Sequence, residues 1–184
     1  MAIQFLERDL EDIIFNAPQD KLQERGLDIA YDVIKRQVNL GSYGIADMVT
    51  FDYFNLETFG EKSLIITVYE LKKGNINVQA LMQAAKYVKG IQRILERTLN
   101  IKNTRIEYKI CLVGCELDYS GGFLLLTDLI DCLEMYTYRY DFDGISFEFR
   151  NEFINSIENM PDGISDYAKD IFSTLIDQTN GRRK

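Results

Sequence analysis

Glu70 and Lys72 stand two residues apart in the stretch Val68-Tyr69-Glu70-Leu71-Lys72-Lys73-Gly74, which ends an apolar run and stops at glycine. On a strand, residues two apart share a face, so a carboxylate and an ammonium stand side by side while Tyr69 and Leu71 face the opposite way. This is the geometry of a chemical site or of an ordinary surface salt bridge. The chain contains no histidine, which removes the usual general base, the serine and cysteine triads built on it and most transition-metal sites. Catalysis by this chain must therefore use carboxylates, lysine, tyrosine or a hard metal ion.

The whole composition narrows the classes further. A chain of 184 residues fits one domain, with about 70% of its unfolded surface removed from water on folding. No apolar run approaches the roughly 20 residues of a membrane span, and Met1 to Leu10 lacks the basic start and apolar block of a cleavable leader; the expectation is a cytoplasmic protein. Cys111, Cys115 and Cys132 are odd in number and lack CxxC spacing, which predicts buried free thiols rather than disulfides or zinc ligands. The net charge of -8 argues against wholesale attraction to nucleic acid, since phosphate contact is driven by lysine and arginine. From Lys86 to Lys109, however, seven basic residues face only two acids (Glu96 and Glu107), a local balance of +5.

The elements that must position Glu70 and Lys72 follow from periodicity. Ile3 to Phe15 carries Phe5, Leu6, Leu10, Ile13 and Ile14 at helical spacing, with Glu7 and Glu11 on a shared face, and should end before Pro18. A short helical turn through Leu22 and Glu24 stops at Gly26. Ala30 to Val38, Ile45 to Phe54 and Leu64 to Lys72 predict three strands in an antiparallel meander, the second and third joined by a polar loop from Asn55 to Lys62. Asn77 to Thr98 is the longest helix, with the stripe Leu81, Ala84, Val88, Ile91, Leu95 and Leu99. Gln83, Tyr87, Gly90 and Ile94 border that stripe, and Lys86, Arg93 and Arg97 form a basic edge beyond it. Arg105 to Gly114 predicts a fourth strand, parallel to the third because a helix separates them. A helix from Ser120-Gly121-Gly122 to Leu133, a hairpin (Glu134–Tyr140 with Ile145–Phe149) and a helix over Asp166–Gln178 complete the chain before a frayed basic tail. The expected class is α/β, a mixed central sheet of antiparallel meander plus parallel fourth strand, flanked by helices, in a single domain over residues 1–184 whose core is 1–114.

This order, with Gly44-Ile45-Ala46-Asp47, then Glu70-Leu71-Lys72-Lys73-Gly74, then Gln83-Ala84-Ala85-Lys86-Tyr87, resembles the PD-(D/E)XK nuclease superfamily, in the branch of RecB-like and archaeal mismatch-type nucleases. The resemblance covers roughly residues 3–114 and implies a restriction-endonuclease-like fold. Ala46 departs from the proline that often precedes the family's aspartate. The resemblance implies a Mg²⁺ (or Mn²⁺) ion held by Asp47, Glu70 and the main-chain carbonyl of Leu71, and DNA as partner. Two neighbouring carboxylates repel unless a cation lies between them, and such oxygen donors suit Mg²⁺. The ion would polarise the scissile phosphate and acidify a water. Lys72 would serve that water, and Glu11, preferred over Glu7, would assist from the first helix. Gln83 and Tyr87 would orient the site or the strand, while Lys86, Arg93, Arg97 and Lys73 would contact phosphates.

Each residue taken alone has a plainer structural reading: a salt bridge, a turn cap, the wet side of a helix. Two rival functions follow. One is a catalytically inactive module of the same fold that binds nucleic acid or a protein partner in a regulatory role; the other is an interaction module whose surplus carboxylates mimic nucleic acid. Tyr136, Tyr138, Tyr140, Phe142, Phe147 and Phe149 alternate at strand spacing, simplest as a half-buried hairpin. The sharper reading is a base-stacking platform or a homodimer face.

Overall fold

A computed structural model describes residues 6–56, 61–98, 104–120, 123–127 and 129–150. All of these belong to the unit spanning Met1–Asn151. The helix expected over Asp166–Gln178, the basic tail after it and the part of the single-domain expectation beyond residue 150 lie outside the described residues.

The chain opens with helices α1 (Glu7–Asn16) and α2 (Gln19–Glu24). Asp9 accepts the Leu6 N–H at 2.8 Å and satisfies one free donor at the start of α1. Strands β1 (Val33–Asn39), β2 (Ile45–Leu56) and β3 (Glu61–Leu71) then form the antiparallel meander, with Lys35 opposite Val49 and Val49 opposite Val68. The loop expected from Asn55 to Lys62 is strand at both ends: Asn55 pairs with Lys62 and Leu56 with Glu61, while 57–60 lie outside the described residues. Polar residues hid this extension, because cross-strand hydrogen bonds need no apolar alternation.

A short strand β4 (Asn75–Ile76) precedes α3 (Val78–Thr98), and Asn77 caps the helix by accepting the Ala80 N–H at 3.1 Å. The chain continues as β5 (Thr104–Gly114), β6 (Glu116–Leu117), α4 (Phe123–Thr127), β7 (Leu133–Asp141) and β8 (Gly144–Phe149). Among the described residues six strands form one sheet in the order β1-β2-β3-β5-β7-β8, and β4 pairs with β6 in a second, parallel pair. β5 is parallel to β3, as the intervening helix requires, and β7 is parallel to β5. The helix expected as far as Leu133 is corrected: among the described residues of that stretch, only Phe123–Thr127 is helical. Leu133 and Met135 are buried around half-buried Glu134, a period of two, and they extend the sheet beside Ile110 and Leu112.

The sheet is covered on both faces. Val49, Ile66, Val68, Ile110 and Leu112 pack with Ala80, Leu81, Ala84, Tyr87 and Ile91 of α3. Met48, Tyr69, Leu71, Cys111 and Val113 pack with Leu10 and Ile14 of α1, Leu22 of α2, and Leu27 and Ile29 after it. Covered faces explain why β3 from Leu64 and the end of β5 from Ile110 read as near-continuous apolar runs. The thiol expectation is met in part: all three cysteines are free, but only Cys111 is buried, Cys115 being half-buried and Cys132 exposed.

α3 approaches the single helical turn Gly41–Tyr43 at Gly90, where a Cβ would lie 2.8 Å from the Tyr43 Cβ and 3.2 Å from that of Leu40. Alanine normally stabilises a helix interior by about 0.5–1 kcal/mol over glycine. Here overpacking reverses the sign, and Gly90→Ala is expected to cost about 1–3 kcal/mol, read as a lower urea midpoint at unchanged slope.

Candidate active site

β2 and β3 bring the two carboxylates together at one end of the sheet. Asp47 Oδ2 accepts the Leu71 N–H at 2.9 Å, tying the start of β2 to the end of β3. Glu70 shares its face with Ile66 and Val68, beneath α3, and is 0% exposed. Its Oε1 accepts from Lys72 Nζ at 2.5 Å, while its Oε2 is buried and, among the described residues, is the one buried side-chain oxygen or nitrogen with no hydrogen-bond partner. A buried, unpartnered carboxylate oxygen is costly.

The electrostatics follow from that burial. Desolvation, with the nearby charge of Asp47 adding to it, pushes the Glu70 carboxyl up to about 7, against the opposing hydrogen bond from Lys72. Asp47 is also raised, first by burial and then by Glu11 and Glu7, despite the Leu71 N–H and the Lys72 charge. Burial works against the Lys72 ammonium, but its hydrogen bond to Glu70 and the surrounding carboxylates more than offset it and its pKa is raised. Glu70 is therefore uncomfortable as an anion. Its ionisation costs folding free energy that is absent below its unfolded value of 4.5 and accrues as pH rises to about 7. In chelator, Glu70→Gln is expected to be more stable than the parent above that window, by on the order of 1–3 kcal/mol, and to lose the advantage below it. Urea unfolding on either side of the window checks both signs.

α3 and α1 border the site. Gln83 donates through Nε2 to the Tyr87 hydroxyl at 2.7 Å. Burial raises the Tyr87 hydroxyl's pKa, and the charges of Glu70, Asp47 and Lys72 reach it, so the Gln83–Tyr87 pair lies over the carboxylates. From α1, Glu7 accepts the Lys73 N–H at 3.0 Å, and buried Glu11 accepts from Gln37 Nε2 at 2.8 Å. The two glutamates divide the role assigned to one: Glu11 acts more strongly on Asp47, whereas Glu7, with no such contribution from Glu11 resolved, acts on Glu70 and Lys72.

The basic residues are spread more widely. Lys73, Lys86, Arg93 and Arg97 are all exposed, and Arg93 pairs with Glu96. Lys86 lies within a turn of Gln83, but Arg93 and Arg97 lie about 15 and 21 Å further along the helix axis. The structure thus brings Asp47, Glu70, Lys72, Gln83 and Tyr87 together, with Glu7 and Glu11 at the rim, and leaves Arg93 and Arg97 outside the site.

Three features escaped the sequence reading. Gln37, which holds Glu11, has a φ of +50° within β1, a left-handed conformation rare for a side-chain-bearing residue. The turn after Lys72 is clamped through Lys73, whose carbonyl accepts from Cys115 Sγ at 2.9 Å and from the Tyr138 hydroxyl at 3.1 Å. Gly114 lets that turn pass close to β5, since a Cβ there would lie 2.7 Å from the Gly74 carbonyl oxygen. A glycine closing an apolar strand is the one signal among these that a sequence displays.

The donor set can be tested against a hard cation. The unpartnered Glu70 Oε2, the Asp47 carboxylate beside it and the Leu71 carbonyl are oxygen donors of the kind Mg²⁺ takes. No group of three His, Cys, Asp or Glu side chains arranged to hold a metal occurs among the described residues, so the fit is to one or two carboxylates with water and substrate completing the shell. Fold and site together define an α/β chain with a mixed sheet and a buried carboxylate–lysine centre at its edge. Comparison with protein-family models, curated proteins and solved structures finds no match. Among the described residues no helix is long and apolar enough to cross a membrane.

Proposed function

We propose that this chain is a Mg²⁺- or Mn²⁺-dependent nuclease of restriction-endonuclease-like fold that hydrolyses DNA phosphodiester bonds. The observation that carries the reading is Glu70: a fully buried carboxylate, one oxygen on Lys72 and the other on nothing, next to a second carboxylate. A structural salt bridge does not require the unpartnered oxygen, whereas a cation site does. Asp47, Glu70 and the Leu71 carbonyl would hold the ion. When bound, the ion supplies charge that polarises a phosphate and lowers the pKa of a water.

The chain's own groups do the rest. Lys72 is fixed on Glu70 Oε1 and presents its remaining N–H donors to the attacking water and to the charge developing on phosphorus. Tyr87, held by Gln83, offers a hydroxyl over the same centre. Glu7 and Glu11 fix the turn after Lys72 and the Gln37 end of β1, and add negative charge that favours a cation. The test is cleavage of single-stranded, duplex and branched DNA in Mg²⁺ or Mn²⁺.

A second reading is favoured by a specific observation: Asp47 Oδ2 is engaged by Leu71 and no third carboxylate side chain joins the pair to complete a metal-binding group among the described residues. In that reading the chain is an inactive nuclease-fold module that binds nucleic acid or a protein partner in a regulatory role. Metal-independent DNA binding without cleavage would select it.

A further inference from the structure

The parallel strands β3, β5 and β7 end at the same edge of the sheet, and the third of them does not stop there. Glu70 is level with Leu112 and Leu112 with Met135, but β5 and β7 part after Gly114 and Thr137. β7 and β8 continue paired to Asp141 and Gly144, so the hairpin runs on beyond the row of Glu70 as a two-stranded ribbon. Tyr138 to Tyr140 lie about 10–17 Å past that row in the strand direction, two strands across.

The ribbon forms one wall of an open groove of about 1020 Å³, whose other wall is the turn after Lys72 and the segment after β6. Three features of the lining point to one ligand class. Tyr119 and Tyr140 line it together, with 65% and 52% of their surface exposed. Lys73, Arg139 and Arg150 supply three positive charges against the two acids of the lining, Glu116 and Asp141, and Arg150 is held by Glu148 and Thr137. In a chain of net charge -8, a groove where acids do not outnumber cations, even with Glu148 counted against Arg150, is a local exception. Finally, Lys73 lines the groove, and its main chain is fixed by Glu7, Cys115 and Tyr138 one residue beyond Lys72. The groove therefore adjoins the turn that follows Lys72.

We propose that this groove binds single-stranded DNA, with bases stacked on Tyr119 and Tyr140 and the backbone on Arg139 and Lys73, and that it leads the strand to Glu70. Exposed aromatic rings alternating with cations along an open groove are the means by which single strands are held without base-pair readout. Duplex DNA conceals its base faces and gains nothing from the tyrosines. Where the strand ends rests on the nuclease reading; the binding itself does not.

The test is fluorescence anisotropy of a labelled oligothymidylate, alone and annealed to oligoadenylate, with the full chain in chelator so that nothing is cut. The parent is expected to bind the single strand at least about tenfold more tightly than the duplex. Tyr119→Ala and Tyr140→Ala should each weaken single-strand binding by about tenfold, Tyr140→Phe should restore it because the ring is kept, and Arg139→Ala should flatten the dependence on salt. Thermal unfolding of each variant separates lost binding from lost folding. A parent with no single-strand preference, or alanine variants within about twofold of a parent that binds, overturns the proposal. Cleavage in Mn²⁺ by a chain whose tyrosine variants bind normally would sink the groove and leave the active site standing; tyrosine-dependent binding without cleavage would do the reverse.

Discussion

Glu70→Ala is expected to lower DNA cleavage in Mg²⁺ or Mn²⁺ by about a thousandfold or more, a loss set by removal of the ion's several kcal/mol of charge stabilisation. Asp47→Asn should fall nearly as far. Lys72→Ala should cost about a hundred- to ten-thousandfold, the range for a group that positions or transfers a proton in the transition state. These three ionisable side chains meet at the end of β3 with Glu70 buried among them, and Glu70 Oε1 and Lys72 Nζ are in direct contact. Losses of this size should not sum in the double variant, because the residues act as one unit. Lys109→Ala, which removes a surface pair with Glu134 on the other side of the sheet from α3, should leave the rate unchanged. If Glu70→Ala and Lys72→Ala both cut as well as the parent, the active-site assignment is wrong.

Saturating Mn²⁺ is expected to raise the melting temperature of the parent by about 5–10 °C at pH above 7. Ligand at a hundred times its Kd stabilises by about 2.7 kcal/mol, and a domain of this size gains about 2–4 °C per kcal/mol. The ion would offset the burial that, together with nearby carboxylate charge, raises both carboxyls, and it would give the Glu70 Oε2 a partner. A proton competes for Glu70 below about 7, so the increment should shrink as pH falls and binding above that point should release less proton. Asp47→Asn and Glu70→Gln should show no increment. An unchanged melting temperature in the parent across that pH range would remove the cation from the proposal while leaving nucleic-acid binding open to the anisotropy measurements.

Much of the frame was legible because its determinants are local. Glu70 and Lys72 share a face at the end of an apolar run, and the helix between β3 and β5 dictates their parallel pairing, so the carboxylate–lysine pair and the place of β5 beside β3 followed from spacing, whereas the place of β7 beside β5 did not. Where the reading failed, a non-local term had overridden the local one. Phe123 to Leu133 has helical composition, yet Leu133 and Met135 gain more by closing the sheet beside β5. The extension of β2 and β3 through Asn55 and Lys62 rests on cross-strand hydrogen bonds that leave no apolar trace. The choice between Glu7 and Glu11 could not be made along α1, because it depends on partners far away in the chain: the Lys73 amide for one and Gln37 for the other. Tyr136, Tyr138 and Tyr140 share one strand and one spacing, but the first two are buried and the third is half exposed, a division that spacing does not show.

The clamp on Lys73 carries a consequence for how the protein comes to fold. Asp47 meets Leu71 across 24 residues of one hairpin, whereas the contacts that fix Lys73 span 66 residues to Glu7 and 65 to Tyr138. Loop closure favours the short span first. The two carboxylates are therefore expected to meet early, before α3 and the strands after it close over them. A chain halted before that closure holds the ligands in order and lacks the buried field that gives them a use, so hydrogen exchange at the Leu71 amide should be protected ahead of that at Lys73 during refolding.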